Sequence, residues 1–218
     1  FPLKEGATIL RRLPSYQRWA MDILTHGDYD DYWKQRGYSP DQYYGEHADV
    51  PTLYLGGWYD SYARNTTESF MQLSRLKKSP QRLLMGPWTH GGWEVTFSGD
   101  LYFGTDSHIN YNDLRLAWFD HYLKGMSTEF ARWQPVRIFT MGTGGGGATV
   151  LGAPGGADDY PGYVDHGGDW RDEEDWPLPD TTYVNYYLRA PRSGSIESLN
   201  DGLLSAEPPP GAEGADTF

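Results

Sequence analysis

The sequence predicts an α/β fold: a parallel sheet covered by helices, followed by a region of all-β texture. Three observations carry this reading. Between Pro51 and Gly142, short apolar runs alternate with helical periodicity in the order strand, helix, strand, helix, strand. That alternation marks a parallel sheet with helices on its faces. After Thr143 glycine becomes dense and no helical stripe returns. Aromatic residues make up 16% of the 218 residues, with nine tryptophans and 17 tyrosines, far too many for a disordered chain.

Each element has its own signal. The segment LPSYQRWAMDILTHGDYDDYWKQRG carries Tyr16, Trp19, Ile23 and Leu24 at roughly helical spacing, with Pro14 near its start and Gly27 at its break. YSPDQYYGEHAD is a polar, turn-rich connection. Thr52 to Leu55 form a buried strand that runs into a Gly-Gly turn. SYARNTTESFMQLSRLKK is helical from about Ser61, with Phe70, Leu73 and Leu76 on one face. Lys77 and Lys78 end it, where the helix dipole favours cations. RLLMGPW is the second strand. YNDLRLAWFDHYLKG is a helix lined by Leu116, Phe119 and Leu123 and closed by Gly125. PVRIFTMG is the third strand. Three strands are too few for a whole α/β domain, so this region reads as the back end of one. The glycine-dense stretch after it lacks the GxxxxGK[ST] pattern of a phosphate cradle and reads as a flexible connection. Thr182 to Leu188 then show aromatic-rich strand alternation.

Composition excludes several classes of function. A formal net charge of -12 argues against nucleic acid and anionic membrane surfaces as partners. No apolar run approaches the roughly 18 residues of a membrane span. The absence of cysteine excludes disulfides, thiolate metal sites and a cysteine nucleophile, and it locates the protein in no compartment. The opening FPLKEGATIL has neither an initiator Met nor a signal-peptide pattern, and PPPGAEGADTF closes on Pro, Gly and Ala. The expectation is a segment of a longer protein.

The chemistry lies at two strand ends. In open α/β sheets, functional groups sit on the loops that follow the carboxyl ends of strands. Asp60 follows the first strand in LYLGGWYDS, and His90 follows the second in MGPWTHGG. Neighbouring strands bring both to one edge. A carboxylate and an imidazole so placed suggest an orienter and a general base. Asp before His also obeys the Ser, Asp, His chain order of α/β-hydrolases. The nucleophile is missing: no serine has glycine two residues to each side, as a G-x-S-x-G elbow requires. Trp58, Tyr59, Trp88 and Trp93 flank the pair. Trp58 and Trp88 are candidates for an apolar substrate pocket, but packing the loops against the core is the preferred role. Asp28, Asp30 and Asp31 lack the glycine-centred spacing of a calcium loop and read as solvated or capping residues.

VPTLYLGGWYDSYARNTTESFMQL, then QRLLMGPWTHGG, LRLAWFDHYLKG and PVRIFTMG, resemble the CocE/NonD hydrolases, relatives of the X-Pro dipeptidyl-peptidases. The resemblance covers nearly the whole chain. It implies an α/β-hydrolase core with an inserted helical cap and a C-terminal jelly-roll β-domain. Residues 1–49 would be the end of the cap and its return to the core. Residues 50–142 would be the last core strands and helices, and 143–218 the linker and truncated start of the jelly roll. By position, Asp60 matches the triad carboxylate and His90 the triad histidine. The serine would come from the N-terminal part of the same protein, upstream of Phe1. The implied activity is cleavage of a small ester or amide through an acyl-enzyme, with no cofactor and no metal. The segment alone would be inactive, and would aggregate or pair with its other half. Self-association as a homo-oligomer is left open. The competing reading is a non-catalytic interaction or binding module that kept the fold. A metal-assisted hydrolase is disfavoured, because Asp60 and His90 supply only two ligands where zinc takes at least three.

Overall fold

The computed structural model describes residues 4–142, 149–150, 163–194 and 201–212. The chain divides into two compact units, Phe1–Pro177 and Leu178–Phe218.

In the first unit, helix α1 (Pro14–Thr25) precedes strand β1 (Thr52–Gly57), helix α2 (Ala63–Leu76) and strand β2 (Gln81–Gly86). A short hairpin follows, β3 (Phe97–Ser98) and β4 (Leu101–Tyr102), and then helix α3 (Tyr111–Lys124) and strand β5 (Val136–Met141). Strands β6 (Thr149–Val150), β7 (Tyr163–Asp165) and β8 (Gly168–Glu173) complete it. The main sheet has the order β1-β2-β5-β8, with β1, β2 and β5 parallel and β8 antiparallel to β5. A second sheet has the order β3-β4-β7-β6.

The expected parallel sheet with helices is present. Its register positions the site: Thr52 pairs with Gln81 and the pairing continues to Gly57 with Gly86. The two strands therefore end level, and the segments that leave them start side by side. Three consecutive residues of β2, Leu83, Leu84 and Met85, are buried. Such a run needs cover on both faces of the sheet. On one face Tyr54 of β1 meets Phe70 of α2 at 5.9 Å between ring centroids. On the other, Leu84 packs with Leu114 and Trp118 of α3 and with Phe130, flanked by Leu53 and Leu55.

Several details differ from the sequence reading. The α1 stripe forms a helix, but none of its residues is buried, and Tyr16, Trp19 and Leu24 are more than half exposed. Trp19 instead donates from its indole to the Tyr38 hydroxyl at 3.2 Å. Helix α2 begins at Ala63 rather than Ser61, and Leu76 is exposed while Phe70 and Leu73 are buried. Lys77 points its ammonium at the Gly45 and His47 carbonyls and not along its own helix. In α3, Leu116, Phe119 and Leu123 are exposed. Tyr111, Leu114, Trp118 and Tyr122 form a second stripe at helical spacing, and this one faces the sheet. Two stripes compete on one helix, and the one holding Trp118, edge-on to Phe130 at 5.0 Å, buries the larger aromatic surface. Gly125 closes the helix in the left-handed conformation at φ 69°, as expected for glycine in that place.

The glycine-dense connection lies outside the described residues over 143–148 and 151–162. Beyond it, β8 joins the core sheet through a forked pair, the Arg137 guanidinium donating to both Asp172 oxygens at 2.6 and 2.8 Å. In the second unit, β9 (Tyr187–Arg189) pairs antiparallel with β10 (Leu203–Ser205). The strand expected over Thr182–Leu188 is realised only from Tyr187. Tyr183, Val184 and Tyr186 are exposed, so no sheet face holds the earlier residues in line.

Candidate active site

Asp60 and His90 are brought together by the level ends of β1 and β2. Trp58 donates its backbone N–H to the Gly86 carbonyl at 2.9 Å, and Tyr59 donates to the Trp88 carbonyl at 3.1 Å. These two bonds continue the strand pairing past the sheet and tie one loop to the other. Asp60 then turns back, its N–H donating to the Gly57 carbonyl at 3.1 Å.

Trp88 is the anchor of the histidine loop. It is 1% exposed, and its indole donates to the Ser107 carbonyl at 2.8 Å. Two glycines make room for it. A Cβ at Gly86 would lie 2.4 Å from the Trp88 ring, and one at Gly57 would lie 2.1 Å from the Trp88 carbonyl oxygen. The Gly-Gly-Trp and Gly-Pro-Trp spellings are thus two halves of one packing arrangement. Burial places Trp88 beneath the loop. Trp58 donates its indole to the Phe139 carbonyl at 2.8 Å and rests against Trp176 at 5.5 Å, linking the Asp60 turn to β5. Tyr59 leans on Phe103 at 5.9 Å, and Trp93 on Tyr111 at 4.7 Å.

The His90 Nδ1 and Asp60 Oδ2 atoms are 3.0 Å apart. The Asp60 side chain is 8% exposed and the His90 side chain 71% exposed, so the carboxylate is sheltered while the imidazole stands open. The other Asp60 oxygen, Oδ1, accepts from the Tyr62 backbone N–H at 2.9 Å. Burial pushes the Asp60 carboxyl up, but the bonds from Tyr62, His90 and Ser61 outweigh it and hold the group below the ordinary carboxylate range. An ionised carboxylate can only accept, so the proton in this contact sits on Nδ1. In the neutral ring Nε2 is then the basic nitrogen, free to take a proton.

Sequence reasoning missed one neighbour of the pair and one further carboxylate–imidazole pair elsewhere. Tyr62 places its ring 5.1 Å from the His90 imidazole, inclined at 59°. The spacing of the apolar residues carries no sign of this contact. Away from this site, His26 approaches Asp30 at 2.5 Å and stacks on Tyr32 at 4.4 Å. The His26 bond is the main cause that holds the Asp30 carboxyl low. Asp30 Oδ1 also accepts from the Tyr32 N–H at 2.9 Å. The short i,i+4 spacing of His26 and Asp30 is the signal that could have found this pair.

Residues 2–92 match the sequence profile of the X-Pro dipeptidyl-peptidase (S15) family. The chain is 29% identical to cocaine esterase from Rhodococcus over its whole length, which covers 32% of that protein. It is 28% identical to a protein from Mycobacterium bovis provisionally named a serine esterase, over 71% of this chain and 20% of that one. Among solved structures it superposes on a CocE/NonD family hydrolase from Staphylococcus aureus with a TM-score of 0.48 and 20% identity, covering 82% of this chain and 24% of the other. The chain thus spans about a third or less of the length of each of these relatives.

Proposed function

Because the chain belongs to the CocE/NonD hydrolases, a family of serine esterases and peptidases, we propose that it carries the acid and the base of a Ser-His-Asp relay. The relay cleaves an ester or amide of a small acyl group. The observation that carries this reading is the 3.0 Å contact between a sheltered Asp60 and an open His90. The nucleophile is a serine outside these 218 residues, since none within them sits in a G-x-S-x-G elbow. On this reading residues 1–49 return from a helical cap and 50–142 finish an α/β-hydrolase core. Residues from 143 lead into a jelly-roll domain.

The reaction follows from the tautomer. His90 Nε2 takes the serine proton as the serine attacks the carbonyl carbon. Asp60 stays ionised and stabilises the imidazolium through Nδ1–H. His90 then gives the proton to the leaving oxygen or nitrogen, and the acyl-enzyme forms. Water enters, His90 deprotonates it, and the acid is released as the serine regains its proton. Trp88, being buried, supports the loop; Trp58 is the better placed of the two tryptophans to meet substrate.

The test uses the full-length hydrolase that contains this segment, with p-nitrophenyl acetate as substrate. Asp60→Asn should lower kcat by about 10⁴-fold, because the amide favours the wrong imidazole tautomer. His90→Ala should leave only the residual rate of binding and oxyanion stabilisation. Turnover unaffected by His90→Ala would overturn the proposal, and a full-length protein with no turnover at all would leave a non-catalytic binding role for this fold.

A further inference from the structure

The His90 imidazole is exposed over 71% of its surface, yet a general base must keep a fixed direction. Its bond to Asp60 fixes where Nδ1 points. One hydrogen bond leaves the ring free to swing about that bond, which would sweep Nε2 through an arc. A second contact is needed to stop the swing. The Tyr62 ring, 5.1 Å away between centroids and inclined at 59°, provides it.

Tyr62 is itself held firmly. Its N–H donates to Asp60 Oδ1 at 2.9 Å. Its carbonyl accepts from the Thr66 N–H at 2.9 Å and the Thr66 hydroxyl at 3.0 Å, in the first turn of α2. One residue thus fixes both partners: its backbone holds one carboxylate oxygen, so that Asp60 offers the other to His90, and its ring blocks the imidazole. Within these 218 residues the side chain is more than half exposed and makes no cap bond to α2.

We infer that Tyr62 is a positioning residue that sets the direction of His90 through its ring, an assignment that rests on the proposed roles of Asp60 and His90. The ring is what matters and the hydroxyl is dispensable. Tyr62 acts through the imidazole and not on the substrate.

The experiment is a double-mutant cycle in the full-length hydrolase with p-nitrophenyl acetate. Tyr62→Ala should lower kcat about tenfold or more with KM unchanged, and Tyr62→Phe should retain the wild-type kcat. In a His90→Ala background, adding Tyr62→Ala should change the residual rate no further. Tyr62→Ser guards against misfolding, because serine is favoured where a helix starts; it should fold normally and lose kcat as alanine does. The inference is overturned if Tyr62→Ala and Tyr62→Ser leave kcat intact or raise KM alone. It is also overturned if the same factor is lost without His90, as a substrate contact would give. Full turnover in His90→Ala would instead bring down the catalytic reading, whatever Tyr62 does.

Discussion

At the scale of single residues, close approach decides more than chemistry does. Three glycines at the strand ends beside the candidate site each meet a different obstacle. A Cβ at Gly57 would strike backbone, one at Gly86 would strike the buried Trp88 ring, and one at Gly56 would lie 2.8 Å from the flexible Met85 thioether. We expect Gly57→Ala and Gly86→Ala to destabilise the protein by about 1–3 kcal/mol or more, as overpacking does. Gly56→Ala should cost less, because Met85 can rotate away. Urea denaturation of the three variants checks the order, and an equal loss in all three would contradict it. Much of this scale was legible in the sequence. Asp60 and His90 each follow an apolar run, and parallel pairing of those runs is enough to set them side by side. Tyr62 was not legible, because its contact depends on where α2 starts, and Ser61 looked the better start. Which of the loop tryptophans is the buried one was hidden as well. A tryptophan between proline and threonine can face either way, and only the two glycines opposite it reveal which.

At the scale of elements, the helices show what periodicity can and cannot say. It locates α2 and α3 and their ends, including the left-handed Gly125. It does not choose between two stripes on one helix. The sheet-facing stripe of α3 is recognised only through Phe130 and Trp133, which come from beyond the helix and pack against each other at 4.5 Å. Trp118→Ala should therefore cost about 3–5 kcal/mol, the range for emptying a large aromatic site. Leu123→Asp, on a residue 77% exposed, should stay within about 0.5 kcal/mol. Thermal or chemical unfolding of the two variants separates these outcomes, and a larger loss from Leu123→Asp would reverse the assignment of faces. Strands β3 and β4 escaped the sequence reading because two-residue strands carry no alternation.

At the scale of the whole molecule, acid sets a boundary on the fold. Asp30, Asp49, Asp60 and Asp201 all have carboxyls held below the ordinary value. At Asp49 the Ser79 and Lys78 backbone N–H groups are the main cause, and at Asp201 it is the Ser193 hydroxyl. A folded carboxyl that ionises more easily than the unfolded one contributes stability above the unfolded pKa, about 4. That contribution is lost as pH falls through the folded values. Stability should hold from pH 7 down to about 5 and drop steeply below 4, with a shallower drop in Asp49→Asn. Denaturant titrations across that range measure it, and an unchanged slope in Asp49→Asn would remove Asp49 from the account. The wider architecture was legible only as far as the alternation of strands and helices reaches. The pairing of β8 with β5 was not, because Gly168–Glu173 spells a polar, charged run with none of the apolar signal of a core strand. The two backbone hydrogen bonds that join the Asp60 turn to the His90 loop carry one more consequence. Neither loop can open alone without breaking both, so the pair behaves as a single cooperative opening unit. Amide exchange at Trp58 or Tyr59 then keeps time for the whole dyad, and local unfolding removes acid and base together.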